Sequence, residues 1–192
     1  MQQYEVSRWL AQSERRTKLM MSLDVPMTAK HLARRTGLDR DACSETLGEL
    51  AHRDMVRCLN PYARRSRLFW LTHLGTRCKR RLAKESGKSW IYPQLPDIDY
   101  SLLGWLCFSH RAAILKALVL PMIPAGIKRR AHLNDPNLRM SANNVRDAIR
   151  LMLAKGIVRA VRINGHRHLQ YELTEIGRIC RELLLNAERS VA

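Results

Sequence analysis

The segment LDVPMTAKHLARRTGL (residues 23–38) recurs 95 residues later as LVLPMIPAGIKRRAHL (residues 118–133). Leu23, Pro26, Met27, Arg34, Arg35 and Leu38 are repeated, and Leu32 is answered by Ile127. The likeness extends both ways. Upstream, Tyr4, Trp9, Leu10 and Ser13 match Tyr100, Trp105, Leu106 and Ser109 at an offset of 96. Downstream, beyond a seven-residue insertion (Asn134–Met140), the offset becomes 102. There Val56-Arg57 matches Val158-Arg159, Leu71-Thr72 matches Leu173-Thr174, and Gly75 and Cys78 match Gly177 and Cys180. A period of about 100 residues is too long for a solenoid unit. It reads as two copies of one small domain.

The boundary falls in SGKSWIYPQLPDID (residues 86–99). Ser86-Gly87 stops a helix, while Pro93 and Pro96 favour extended backbone. The expected division is a first domain over 1–88, a linker over 89–99 and a second domain over 100–192. Trp90, Ile91 and Tyr92 are expected to pin the linker to a domain surface, which would hold the copies at a fixed mutual angle.

Each copy carries the same predicted elements. A helix with W-L-x-x-S (about 3–12 and 100–108) precedes a second helix that buries Leu19, Met20 and Leu23, or Ile114, Leu115 and Leu118. A short helix follows (about 28–36 and 123–131). Next comes a helix capped by Asp39 or Ser141, with Cys43, Leu47 and Leu50, or Val145, Ile149 and Met152, inward at helical spacing. Residues 55–59 and 157–161 read as strands, each paired through a polar turn with 68–71 or 170–173. A closing helix over 73–85 or 175–188 is capped by Thr72 or Thr174. The fold class is therefore mainly α with two small β-hairpins (α+β).

Charge is the strongest bulk signal. Lysine and arginine total 34 against 17 acids, a net of +17. Such a chain repels itself unless it meets a polyanion, and nucleic acid is the expected one. The 46% hydrophobic content is enough for a core. No apolar run approaches the roughly 20 residues of a membrane span, and the polar N-terminus does not read as a signal peptide. Five scattered cysteines without a C-x-x-C pair point to free thiols in a reducing cytosol, or around the nucleoid in a prokaryote. No phosphate loop, nucleophile elbow, H-E-x-x-H or acid pair is present, so no enzyme, metal or cofactor is expected.

The run MTAKHLARRTGLDRDACSETLGELAHRDMV (residues 27–56) resembles the MarR- and ArsR-type regulators. Those families show a small residue, an apolar helix, Thr/Ser-Gly-Leu, a second helix and a Gly-apolar-apolar start to a strand. Lys155-Gly156-Ile157-Val158 fits that last element, whereas Arg53-Asp54-Met55-Val56 lacks the glycine. The resemblance covers about 70 residues of each copy. It implies two tandem winged helix-turn-helix domains from an internal duplication. It further implies that the second helix of each turn motif reads the major groove and that the hairpin wing touches backbone or minor groove.

Under that implication the reading face of copy 2 is Asn143, Asn144, Arg146, Asp147 and Arg150, where asparagine can pair with adenine and arginine with guanine. Its window 141–155 carries Arg146, Arg150 and Lys155 against Asp147, a net of +2. The copy 1 window 39–53 carries Asp39, Asp41, Glu45 and Glu49 against Arg40 and Arg53, a net of −2. Arg40 and Ser44 are the candidate contacts there. The basic wings supply Arg64, Arg65 and Arg67 in copy 1, and Arg162, His166, Arg167 and His168 in copy 2, with Asn164-Gly165 as the turn. Arg57 and Arg159 add to the two wings. Arg77, Lys79, Arg80, Arg81 and Lys84 ring the first closing helix and could track phosphate or be solvated. Cys43, on a reading helix, would be a redox switch if accessible.

The favoured function is therefore double-stranded DNA binding by a transcriptional regulator, as a monomer with a pseudo-two-fold arrangement or as a homodimer. The alternatives are a replication or recombination accessory factor, an RNA-binding module and a tandem winged-helix interaction scaffold. The acidic helix of copy 1 offers the scaffold reading a protein partner.

Overall fold

The computed structural model describes residues 8–163 and 167–189. The chain is mainly helical, with two small antiparallel hairpins. It divides into two compact units, residues 1–104 with 186–192, and residues 105–185. Among the described residues no helix is long and apolar enough to cross a membrane.

Unit 1 opens with a helical stretch at residues 8–11; the start of the expected first helix lies outside the described residues. Helix α1 (Glu14–Ser22) is capped by Ser13, whose side chain accepts from the Arg16 amide. Helix α2 (Ala29–Thr36) starts at Thr28, which accepts from the His31 amide, and ends at Gly37 with φ 71°. That left-handed stop needs no Cβ, which is why the helix turns there. Helix α3 (Arg40–His52) is capped by Asp39, which takes the amides of Asp41 and Ala42. These two bonds hold the Asp39 carboxyl below its usual range.

Strands β1 (Val56–Cys58) and β2 (Phe69–Leu71) pair with Val56 opposite Leu71. Each is shorter than its pattern predicted, because the connection is tied by a buried side chain instead of a longer ladder. Asn60 accepts from the Leu68 amide (2.7 Å) and donates to the Ser66 carbonyl (3.2 Å). Met27 bridges to Phe69, fixing the segment before α2 against the hairpin. Helix α4 (His73–Glu85) is capped by Thr72. The core gathers Leu19, Met20, Met27, Leu32, Leu47 and Leu50, all inaccessible to solvent, and includes Ala187 from the last helix. Each such leucine or methionine contributes about 1.5–3 kcal/mol by leaving water.

Helix α5 (Tyr100–Leu106) spans the division between the units. Unit 2 continues with α6 (Ser109–Ala117), α7 (Pro124–Asn134) and α8 (Ala142–Ala154). Strands β3 (Val158–Val161) and β4 (Gln170–Leu173) then pair with Val158 opposite Leu173, and α9 (Glu175–Glu188) closes the chain. Element order and strand register repeat those of unit 1 at the sequence offsets. The bridge does too, as Met122 to Tyr171. The expected inward positions hold: Val145, Ile149 and Met152 are buried, as are Ile114, Leu115 and Leu118. Helix α7 runs three residues past Ala131, the counterpart of Thr36, because His132 stands where the left-handed Gly37 stops α2, and only its last residue, Asn134, belongs to the insertion. It then turns at Asp135.

Three expectations are corrected by burial. Lys79 is not part of a surface cation ring, because its side chain is wholly buried. Cys43 is also fully buried, and burial pushes its thiol up, which removes it as an accessible redox switch. In the linker Trp90 and Tyr92 dock, but Ile91 is 87% exposed and pins nothing.

Candidate nucleic-acid interface

Helix α8 is held at its start by a reciprocal capping box. Ser141 Oγ accepts from the Asn144 amide (3.1 Å), and Asn144 Oδ1 accepts from the Ser141 amide (2.9 Å) and hydroxyl (2.8 Å). Val145, Ala148, Ile149 and Met152 bury the inner stripe. That leaves Asn143, Asn144, Arg146, Asp147 and Arg150 exposed on the outer one. They are not equally available. The Asn144 carbonyl oxygen is committed to the cap, so its side chain serves the helix first. Arg150 pairs with Asp147 at 3.5 Å, while among the described residues Arg146 has a 3.4 Å contact to Asn143 Oδ1 and no ion pair.

Arg146 lines two adjoining concavities. One, of about 400 Å³, is walled by Pro124, Ala125, Lys128, Arg129, His132 and Ala142. The other, of about 390 Å³, is walled by Ile123, Pro124, Ala125, Arg167, His168, Leu169 and Tyr171. The structure thus brings Arg146, Arg167 and His168 together. It adds Lys128, Arg129 and His132 of α7, which pattern reading passed over although the basic run IKRR was visible. The first turn of α7 borders both spaces. Its cap position, Ile123, supplies no side-chain acceptor, so the positive end of the helix reinforces the field. Among the described residues no carboxylate lines either space.

Arg162 is exposed at the end of β3. Arg159 is tied across the ladder to Glu172 (Nε to Oε1, 2.7 Å), so its charge is already answered. His166 and the Asn164-Gly165 turn lie outside the described residues. Among the described residues no cluster of histidine, cysteine and acid side chains could hold a metal ion.

The corresponding surface of unit 1 is organised differently. Arg64, Arg65 and Arg67 are exposed on the connection between β1 and β2, and Arg67 lies over the Phe69 ring at 5.7 Å. On α3, Arg40 sits 3.4 Å from Asp41, and the Ser44 hydroxyl donates to the Arg40 carbonyl (3.0 Å). The acids expected to face outward are partly answered by α1. Glu49 takes Arg16 at 2.7 Å, and Glu45 lies 3.9 Å from Arg15.

A feature outside the charge pattern repeats in both units. Trp9 carries the guanidinium of Arg16 at 3.7 Å and that of Arg53 at 4.3 Å. Trp105 carries Arg111 at 4.2 Å and Lys155 at 5.3 Å. Cations on an indole face are worth roughly 0.5–2 kcal/mol. This explains the repeated W-L-x-x-S motif as an anchor that sets the end of each outer helix. No protein-family model, curated protein or solved structure matches the chain.

Proposed function

We propose that the chain is a double-stranded DNA-binding protein, a transcriptional regulator of the cytoplasm. In this reading the two units are winged helix-turn-helix domains descended from one duplicated ancestor. Helix α8 enters the major groove, and the β3–β4 and β1–β2 hairpins grip backbone or minor groove. The protein acts by binding, without a catalytic step.

One observation carries the reading. Lys128, Arg129, His132, Arg146, Arg167 and His168 converge on two adjoining acid-free concavities beside the exposed face of α8. A solvated basic surface spreads its charges apart. Here they gather on one helix face and beside one hairpin. The interaction-scaffold reading drew on the acidic face of α3, and that face loses force because Glu49 and Glu45 have partners on α1.

The test is salt dependence of duplex binding. Five to eight phosphate contacts give a log–log slope of about −5 to −7, from roughly −0.9 per contact. A slope near −1, or no duplex binding in dilute salt, overturns the assignment. Tighter binding to structured RNA than to duplex DNA moves it to RNA.

A further inference from the structure

The two units treat one equivalent surface in opposite ways. In unit 1 the chain leaves α4 at Gly87 (φ 68°), and two aromatic residues of the following segment dock against the unit's own wall. Trp90 donates its indole N–H to Asp24 Oδ1 (3.2 Å) and covers Lys79 Nζ (4.8 Å from the ring centre). Tyr92 accepts from Trp70 Nε1 (3.0 Å) and meets the Trp70 ring at 5.8 Å. Asp24, Trp70 and Lys79 are thus the floor of an occupied groove.

Their counterparts in unit 2, at the offsets of 95 and 102, are Val119, Glu172 and Arg181. There the same wall is an open groove of about 420 Å³, lined also by Leu120, Pro121 and Arg178. Val119 and Leu120 are 44% and 53% exposed.

We propose that this groove docks an extended segment of a partner protein, seated as residues 90–92 are seated on unit 1. The side chain at the Trp90 position is a phenyl or branched aliphatic group. It rests on Val119 and Leu120 with the Arg181 guanidinium beneath it. Two residues further on, a tyrosine donates its hydroxyl hydrogen to Glu172. The chemistry separates this partner from a second copy of the chain. A second copy would bring the indole of Trp90, whose acceptor Asp24 is replaced here by Val119, and would first have to give up the strap's bonds to its own Asp24 and Trp70. Tyr92 accepts from Trp70, whereas Glu172, whose Oε1 already takes Arg159, is an acceptor and can be met only by a donor. The proposal is independent of DNA binding, because none of these groove residues faces the concavities around Arg146.

The probe is a fluorescein-labelled peptide of residues 88–96 carrying W90F, titrated against the full chain by fluorescence anisotropy. The expected result is saturable binding that weakens about tenfold or more in Leu120→Glu, the size of one lost contact of about 1.4 kcal/mol. Val119→Lys should give the same loss, and both positions are exposed enough for the chain to fold. The unaltered strap peptide should bind less tightly than the W90F peptide. Absence of saturation at about 1 mM, the limit of a contact worth about 4 kcal/mol, overturns the proposal. Binding that ignores both groove variants also overturns it. So does a concentration-dependent dimer in sedimentation that Leu120→Glu abolishes, because the occupant is then a second copy.

Discussion

Lys79 Nζ lies 2.7 Å from Asp24 Oδ1, with no solvent-accessible surface on the lysine side chain. The ammonium also donates to the Leu23 carbonyl at 2.8 Å. Arg35 reaches the other oxygen of Asp24 at 3.1 Å, and the Trp90 indole N–H shares the first. One carboxylate thus answers three donors from α2, α4 and the linker. Burial nevertheless dominates at the lysine, lowering its pKa to about 8 despite the adjacent Asp24. Burial lowers Arg35 as well.

The sign of the resulting pH dependence is set by where each state releases its proton. An unfolded lysine does so near 10.4, the folded one near 8. Between those values the unfolded chain binds more protons, so stability from this group rises with pH across the window, by at most ~3 kcal/mol. The raised thiol of Cys43 pulls the other way above the ordinary cysteine range. The measurement is therefore a difference: urea unfolding of the wild type and Lys79→Met from about pH 7.5 to 10. The stability gap should move in favour of the wild type as pH rises. A constant gap would show that Lys79 titrates at its ordinary value.

Asp54 and Gly156 hold equivalent positions, each leading into the first strand of its hairpin, with φ 53° and 66°. The left-handed region costs a residue with a Cβ about 1–2 kcal/mol. Asp54→Gly should therefore stabilise by about 0.5–1 kcal/mol, net of glycine's greater freedom when unfolded. Gly156→Ala should destabilise by about 1–2 kcal/mol, purely through conformation, since nothing lies within 4 Å of the added methyl. Thermal melts of the two variants read both signs.

Gly75 and Gly177 are required for a different reason. Each sits in the first turn of a closing helix, facing the backbone carbonyl of Met55 or Ile157, and an added Cβ would overlap that oxygen. No flexible side chain is there to yield. Alanine at either position should cost roughly 3 kcal/mol or more, seen as loss of the cooperative melt of that unit.

Periodicity and capping residues made most of the fold legible. Asp39, Ser141 and Thr72 cap the helices expected of them, and Cys43, Leu47, Leu50, Val145, Ile149 and Met152 are buried as spaced. What pattern alone could not carry was the partner of each charge. Lys79 reads as one of five cations on α4, because nothing local to its helix marks Asp24, 55 residues away, as its anchor. Likewise Glu49 reads as a free acid until Arg16 is placed beside it. Lys128 and Arg129 were visible as charge, but their convergence on Arg146 depends on how α7 meets α8.

Under the DNA-binding reading, Arg146 and Arg150 should not behave alike. Among the described residues Arg146 touches Asn143 and no acid, whereas Arg150 must leave Asp147 to reach a base. Arg146→Ala should cost about 1–3 kcal/mol on a selected site, with a smaller loss on random duplex. Arg150→Ala should cost less. Equal losses for Arg146→Ala on selected and random duplexes would make Arg146 a phosphate contact.

The last prediction concerns which unit reads sequence. Helix α8 presents a net of +2 over 141–155, and its tip adjoins concavities lined by Lys128, Arg129, Arg146 and Arg167 with no carboxylate among the described residues. Helix α3 presents −2 over 39–53, and pairing of Glu45 and Glu49 with α1 leaves Asp39 and Asp41 at its start, the end that would face a groove under the DNA-binding reading. Phosphates would be repelled there unless Arg40 offsets them, and Arg40 is already beside Asp41. Arg40→Ala and Ser44→Ala should therefore leave the preferred sequence unchanged in a selection from random duplexes. Asn143→Ala and Arg146→Ala should alter it. Arg65→Ala, on the exposed connection of unit 1, should weaken all duplexes alike and reduce the salt slope by about 1. If Arg40→Ala shifts the selected sequence while Asn143→Ala does not, the roles are reversed and α3 is the reader.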